Sequence, residues 1–107
     1  MFELIIYQTA QARRPFEEWL DRLRDSTAEM RITRRIRQFQ SGALGDYASV
    51  GEGVFELRIH FGPGFRVYFG RSGERIVVLL CGGDKSTQHK DIERAKEYWS
   101  DWKGRQS

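Results

Sequence analysis

The sequence predicts an α+β protein in the order strand, two helices, antiparallel strands and C-terminal helix, with the helices packed on one twisted sheet. Three observations predict it. Apolar residues recur with a helical period in three segments, they alternate with polar ones in a run between the second and third, and glycine- and proline-containing turns divide that run. At 107 residues the chain matches one domain, placed at residues 1–103, with 104–107 a frayed tail.

Phe2 to Tyr7 is rich in β-branched and aromatic residues and reads as a strand inside the sheet, covered on both faces. Pro15 suits a first helical turn, and Phe16, Trp19, Leu20 and Leu23 follow at i, i+3, i+4 and i+7. Asp25 and Ser26 interrupt that helix. Ser26 and Glu29 have the spacing of a capping box, opening a second helix whose inner face carries Ala28, Ile32, Ile36 and Phe39. Gly42 and Gly45 end it, and a polar connection follows with a short strand around Tyr47 to Val50. In Val54 to Phe61 the residues Phe55, Leu57, Ile59 and Phe61 point one way and Glu56, Arg58 and His60 the other. Gly62-Pro63-Gly64 reverses the chain into Phe65 to Phe69, where Arg66 and Tyr68 oppose Phe65, Val67 and Phe69. Ser72-Gly73 turns it again into the apolar, central strand Arg75 to Cys81. From Gln88 onward Ile92, Ala95, Trp99 and Trp102 form a helical stripe, with both tryptophans read as core anchors.

Composition narrows the function. No apolar run approaches the roughly 20 residues that span a bilayer, and Met1-Phe2-Glu3 does not begin a secretory signal, so no membrane partner and a cytoplasmic location are expected. A lone Cys81 excludes an internal disulfide, and His60 and His89 as the only imidazoles disfavour a metal site; no cofactor is expected. The formal charge is only +3, but fourteen of the eighteen basic residues are arginine, the side chain best shaped for phosphate. Nucleic acid is therefore a candidate partner.

A three-residue loop at Gly62 to Gly64 sets Phe61 opposite Phe65, His60 opposite Arg66 and Arg58 opposite Tyr68. Two guanidiniums, an imidazole and a phenol then share one face, a compact cationic site able to move protons. The plainer alternative pairs both arginines with Glu56 or helix carboxylates and leaves His60 merely exposed. Beyond Gly82-Gly83, Lys85 sits in a turn where free amides and a helix start can face an anion, although the motif is not a P-loop. Arg31, Arg34 and Arg35, at i, i+3 and i+4 on the second helix, can grip a nucleic-acid backbone; otherwise they form a solvated flank with Glu29 as counter-ion.

The stretch "GVFELRIHFGPGFRVYF…LLCGGDKSTQ" followed by "DIERAKEYW" resembles the phage-derived, HigB-like branch of the RelE/ParE toxin superfamily. The likeness includes "FEEWLDRLRD" and "GDYASVGEGV" and so covers nearly the whole chain. It implies a RelE-like fold, a toxin of a bacterial type II toxin–antitoxin pair, and metal-independent cleavage of messenger RNA on the ribosome. In that chemistry an RNA 2′-hydroxyl attacks the adjacent phosphate, which calls for cations and proton carriers. By motif position the resemblance assigns Arg58 and Arg66 to the developing charge and Lys85 to adding charge or assisting the leaving group. For proton transfer it implies a C-terminal histidine or tyrosine: His89, at the start of the last helix, is chosen over Tyr98, with His60 or Tyr68 taking the role if His89 points away.

Two other classes stay open: a ParE-like inhibitor of DNA gyrase, which needs no proton-transfer residues, and an inactive RNA-binding relative. The toxin reading implies a cognate antitoxin, expected to be a helix-turn-helix protein that covers the cationic face, and the ribosome and mRNA as further partners.

Overall fold

The structure, a computed structural model, describes residues 1–106. It is a mixed α+β fold with a five-stranded sheet and three α-helices: β1 (Glu3–Ile6), α1 (Pro15–Arg22), α2 (Ser26–Gln40), β2 (Tyr47–Gly51), β3 (Val54–Ile59), β4 (Phe65–Ser72), β5 (Ile76–Gly83), a 3-10 turn (Lys85–Thr87) and α3 (Gln88–Arg105). The sheet order is β1-β5-β4-β3-β2. Neighbours from β2 to β5 are antiparallel and β1 runs parallel to β5. β1 is therefore an edge strand, where the sequence reading puts it inside the sheet. Its apolar run still has a physical cause, because Leu4 and Ile6 pack on one face while Ile5 and Tyr7 pack on the other.

The helices divide between the two faces. Ala28, Ile32, Ile36 and Phe39 of α2 are buried with Phe16 of α1 against Leu57, Ile59, Phe65, Val67 and Phe69. Phe69 is fully buried, its ring centroid 4.9 Å from Phe39 and 5.4 Å from Phe55, and such burial of one large apolar side chain is worth about 2–3 kcal/mol. α3 covers the opposite face with Ala95 and Trp99 on Val54, Tyr68, Val78 and Leu80. This placement turns the polar face of β3 and β4 into an interior.

Three local readings change. The cap of α2 is Asp25, whose Oδ1 accepts from the Thr27 and Ala28 amides, so the expected Ser26 cap is displaced by one residue. The β3–β4 loop covers residues 60–64, and Ile59 faces Phe65, Arg58 faces Arg66 and Glu56 faces Tyr68. The expected pairing is thus off by two, because the chain curls early: the Phe61 amide donates to the Ile59 carbonyl and the Gly64 amide to the Phe61 carbonyl, with Gly62 and Gly64 at positive φ. An even shift preserves each residue's face. Finally, α3 extends past Gly104, the expected start of a frayed tail, to Arg105, which donates to Asp101 and to the Gln8 carbonyl; Ser107, the last residue of that tail, lies outside the described residues. Among the described residues no helix is long and apolar enough to cross a membrane.

Gly70 shows how tightly α3 is seated. A Cβ there would lie 2.3 Å from Trp99 Cε3, so Gly70→Ala is expected to lower the unfolding free energy by about 1–3 kcal/mol, read from a denaturant titration.

Candidate functional site

Glu56 is the carboxylate around which the site is organised, and it has no exposed surface. One oxygen accepts from Arg58 Nε at 3.1 Å; the other accepts from the Tyr68 hydroxyl at 3.0 Å and from Gln88 Nε2 at 2.8 Å. Arg66 Nε stands 3.5 Å from that second oxygen. Burial works against the charge on Glu56, yet the bonds from Gln88, Arg58 and Tyr68 and the cation of Arg66 outweigh it, holding the carboxyl below its ordinary range.

Arg58 and Arg66 are direct cross-strand partners, and like charges in that relation repel. Glu56 beneath them offsets the repulsion. Arg66 is nearly buried, donating from Nη1 to the Gly64 carbonyl at 2.6 Å, while its Nε has no hydrogen-bond acceptor. Lys85 joins from the 3-10 turn: a Cβ on Gly64 would lie 3.2 Å from Arg66 Nη1 and 3.5 Å from Lys85 Cγ. Two guanidiniums therefore share one buried carboxylate, and the Lys85 stem lies against the β3–β4 loop beside Arg66.

The outer side of this cluster is formed by Asp46. Its two oxygens hold Arg58 Nη1 at 3.1 Å and His60 Nε2 at 2.7 Å, and the His60 bond, with Arg58 behind it, draws the Asp46 carboxyl below its usual range. The pairing of Arg58 and Arg66 with Glu56 follows the plainer of the two sequence readings. His60 lies beyond the end of β3 with 77% of its side chain exposed.

The three other proton-transfer candidates stand in different places. Tyr68 is fully buried, its phenol is pushed far up, first by burial and then by the Glu56 charge, and its hydroxyl is engaged as a donor to Glu56. The side chain of His89 is 94% exposed and pairs with Glu93 at 3.3 Å, one turn along α3. Tyr98 stacks on Tyr7 with ring centroids 5.0 Å apart. His60 is the imidazole that shares a carboxylate with a site arginine.

The Gly82-Gly83 pair has a packing explanation. A Cβ on Gly82 would lie 2.2 Å from the Trp19 ring and one on Gly83 would collide with the Asp91 carboxylate, so the two faces of β5 are occupied by α1 and α3. The turn that follows is closed on itself, because Asp84 accepts from the Ser86 amide through its side chain and from the Thr87 amide through its carbonyl. The Ser86 and Thr87 amides are therefore not free to cradle an anion, and the turn also carries Lys85.

On α2 the three arginines separate. Arg35 is structural, donating to the carbonyls of Leu44 and Arg58; Arg31 and Arg34 are exposed. A larger cleft of about 660 Å³ lies on the other side of Gly82 and Gly83, bounded by Arg13, Trp19, Arg22, Asp91 and Arg94. Its Asp91 carboxyl is shifted upward by burial and accepts from the Thr87 hydroxyl at 2.5 Å. Among the described residues, no three His, Cys, Asp or Glu side chains gather as a metal-ligand set.

Glu56 as an organising centre, Gln88 and Asp46 were not singled out by the sequence. The available signal was the Glu-x-Arg alternation in β3, which places Glu56 and Arg58 on one face.

Fold and site together define a small α+β protein with an arginine cluster set on a buried carboxylate. The model of a family described as phage derived protein Gp49-like (DUF891) matches residues 18–100, and an uncharacterized protein of Haemophilus influenzae is 51% identical over 81 residues, 76% of this chain and 82% of that protein. The chain belongs to the Gp49-like family, which is part of the RelE/addiction-module toxin group.

Proposed function

We propose that this protein is the toxin of a type II toxin–antitoxin pair, of the HigB-like branch, and that it cleaves messenger RNA on the ribosome without a metal. The observation that carries the reading is Arg58 and Arg66 fixed side by side by buried Glu56, with Lys85 beside them. A phosphodiester attacked by its own 2′-hydroxyl accumulates negative charge on its non-bridging oxygens, and prearranged guanidiniums lower the energy of that state. Arg58 and Arg66 take this role. His60 accepts the 2′-hydroxyl proton, oriented by Asp46 as the partner of its Nε2, and Lys85 supplies charge and a proton to the departing 5′-oxygen. The products are a 2′,3′-cyclic phosphate and a 5′-hydroxyl. For the phosphate to reach Arg58, it replaces Asp46 on Nη1. A cognate antitoxin of the helix-turn-helix type relieves the activity by covering this cationic surface in the cytoplasm.

The test compares two purified systems. Added to a translation reaction programmed with one defined messenger, the protein is expected to shorten the message only when ribosomes are present, and to leave gyrase supercoiling of plasmid DNA unaffected. An intact message with blocked supercoiling would replace this reading by the gyrase-inhibitor one.

A further inference from the structure

The flank of α2 beside the site presents a second feature. Between α2 and the β3–β4 loop runs a groove of about 210 Å³ whose lining includes five basic side chains, Arg31, Arg34, Arg35, Arg58 and His60, and no carboxylate. Asp46, which binds Arg58 and His60, does not line it. Glu29, the counter-ion suggested by the sequence, forms no ion pair with these arginines, and Arg31 and Arg34 have no carboxylate partner among the described residues.

The side chains differ in what they can offer. Arg35 is committed to the carbonyls of Leu44 and Arg58 and so builds the floor. Arg31 sits over the Phe61 ring, its guanidinium carbon 4.7 Å from the centroid, a cation–π contact that restrains the side chain. A guanidinium restrained in this way can offer a stacking surface to an unpaired base and donors to a phosphate. Arg34 stands one turn further along the same flank. Arg31 and Arg34, which have no carboxylate partner among the described residues, repel the other cations of the groove, and a polyanion relieves that repulsion while releasing its counter-ions. Arg58 belongs both to this groove and to the Glu56 cluster, so the two cationic surfaces are continuous.

We infer that the α2 groove binds single-stranded RNA flanking the scissile phosphate, with Arg31 and Arg34 on backbone phosphates and the Arg31–Phe61 pair beneath a base. The inference rests on the nuclease reading for its choice of RNA over another polyanion. It assigns the strand a path: from the Arg58–Arg66 pair across His60 and Phe61 and then along α2.

The experiment is fluorescence anisotropy of a labelled, mixed-sequence 12-nucleotide RNA titrated with the full chain, between about 50 and 200 mM salt. The double variant Arg31→Ala/Arg34→Ala leaves the Glu56 cluster untouched, and Arg34→Glu serves as a second variant; because both positions are exposed, unchanged melting curves confirm that each folds. Loss of two phosphate contacts is expected to weaken binding roughly tenfold or more and to flatten the slope of log K against log salt by about 1.4. Wild-type affinity and slope in the double variant overturn the inference. So does the absence of binding by the wild-type chain at the lowest salt, as does a double variant that keeps its RNA affinity but no longer binds a poly-glutamate peptide. Cleavage is scored separately: RNA binding that depends on Arg31 and Arg34 in a protein that never cuts message retains the groove and removes the nuclease, whereas full cleavage with unchanged binding does the reverse.

Discussion

Glu56→Gln is expected to destabilise the protein by about 3–5 kcal/mol, because it leaves the nearly buried Arg66 without its counter-charge while Arg58 retains only Asp46. In a domain of this size, that loss lowers the melting temperature by more than about 10 °C. The pH dependence has a definite sign. The folded Glu56 carboxyl is held below its ordinary value of 4.5, so its stabilisation is fully present above that value and is lost as the pH falls through the depressed one. Calorimetric scans across the acid range should therefore show the gap between wild type and variant closing as the pH drops below about 4. A gap that stays constant down to pH 2 would contradict an ionised Glu56 at the centre of the site.

Arg66→Ala is expected to slow RNA cleavage by about 10²- to 10³-fold, the usual consequence of removing one prearranged donor from developing negative charge. The fold should persist, because Arg66 is one of four partners of Glu56 and the carboxylate keeps Arg58, Tyr68 and Gln88. Arg66→Lys is expected to recover only part of the rate, since an ammonium retains the charge but not the planar fork that reaches both the Gly64 carbonyl and a phosphate. The measurement is single-turnover decay of a messenger in a ribosome-containing reaction, with circular dichroism to establish folding. Equal rates for wild type and Arg66→Ala would remove Arg66 from the chemistry.

Much of this arrangement is legible in the residues, and the parts that are not share a cause. The alternation of Val54 to Ile59 and the i, i+3, i+4 spacing of α1 and α2 report local faces, and those faces are as the pattern suggests. Parity survives even the two-residue error in the β3–β4 pairing, so Arg58, Arg66 and Tyr68 share a face despite the wrong partners. What alternation cannot report is which polar face another element will cover. α3 packs over β3 and β4 and inserts Gln88 beside Glu56, converting an apparent solvent face into a buried ion cluster that removes Tyr68 from solvent. The reason for Gly82-Gly83 is hidden in the same way, since Trp19 and Asp91 approach from helices distant in sequence. His89 illustrates the limit on the helix itself: its position at the start of α3 is right, and the rotation of the helix turns it outward.

In the proposed mechanism the arginine pair on Glu56 promotes attack by an RNA 2′-hydroxyl. The most direct test maps the protein's cut in a defined messenger and then replaces the single nucleotide on the 5′ side of that cut by its 2′-deoxy form, with everything else unchanged. The original cut is expected to leave a 2′,3′-cyclic phosphate and a 5′-hydroxyl, and the substituted message is expected to stay unbroken at that position. A cut that persists at the deoxy nucleotide, with a 3′-hydroxyl and a 5′-phosphate at its ends, would contradict this mechanism.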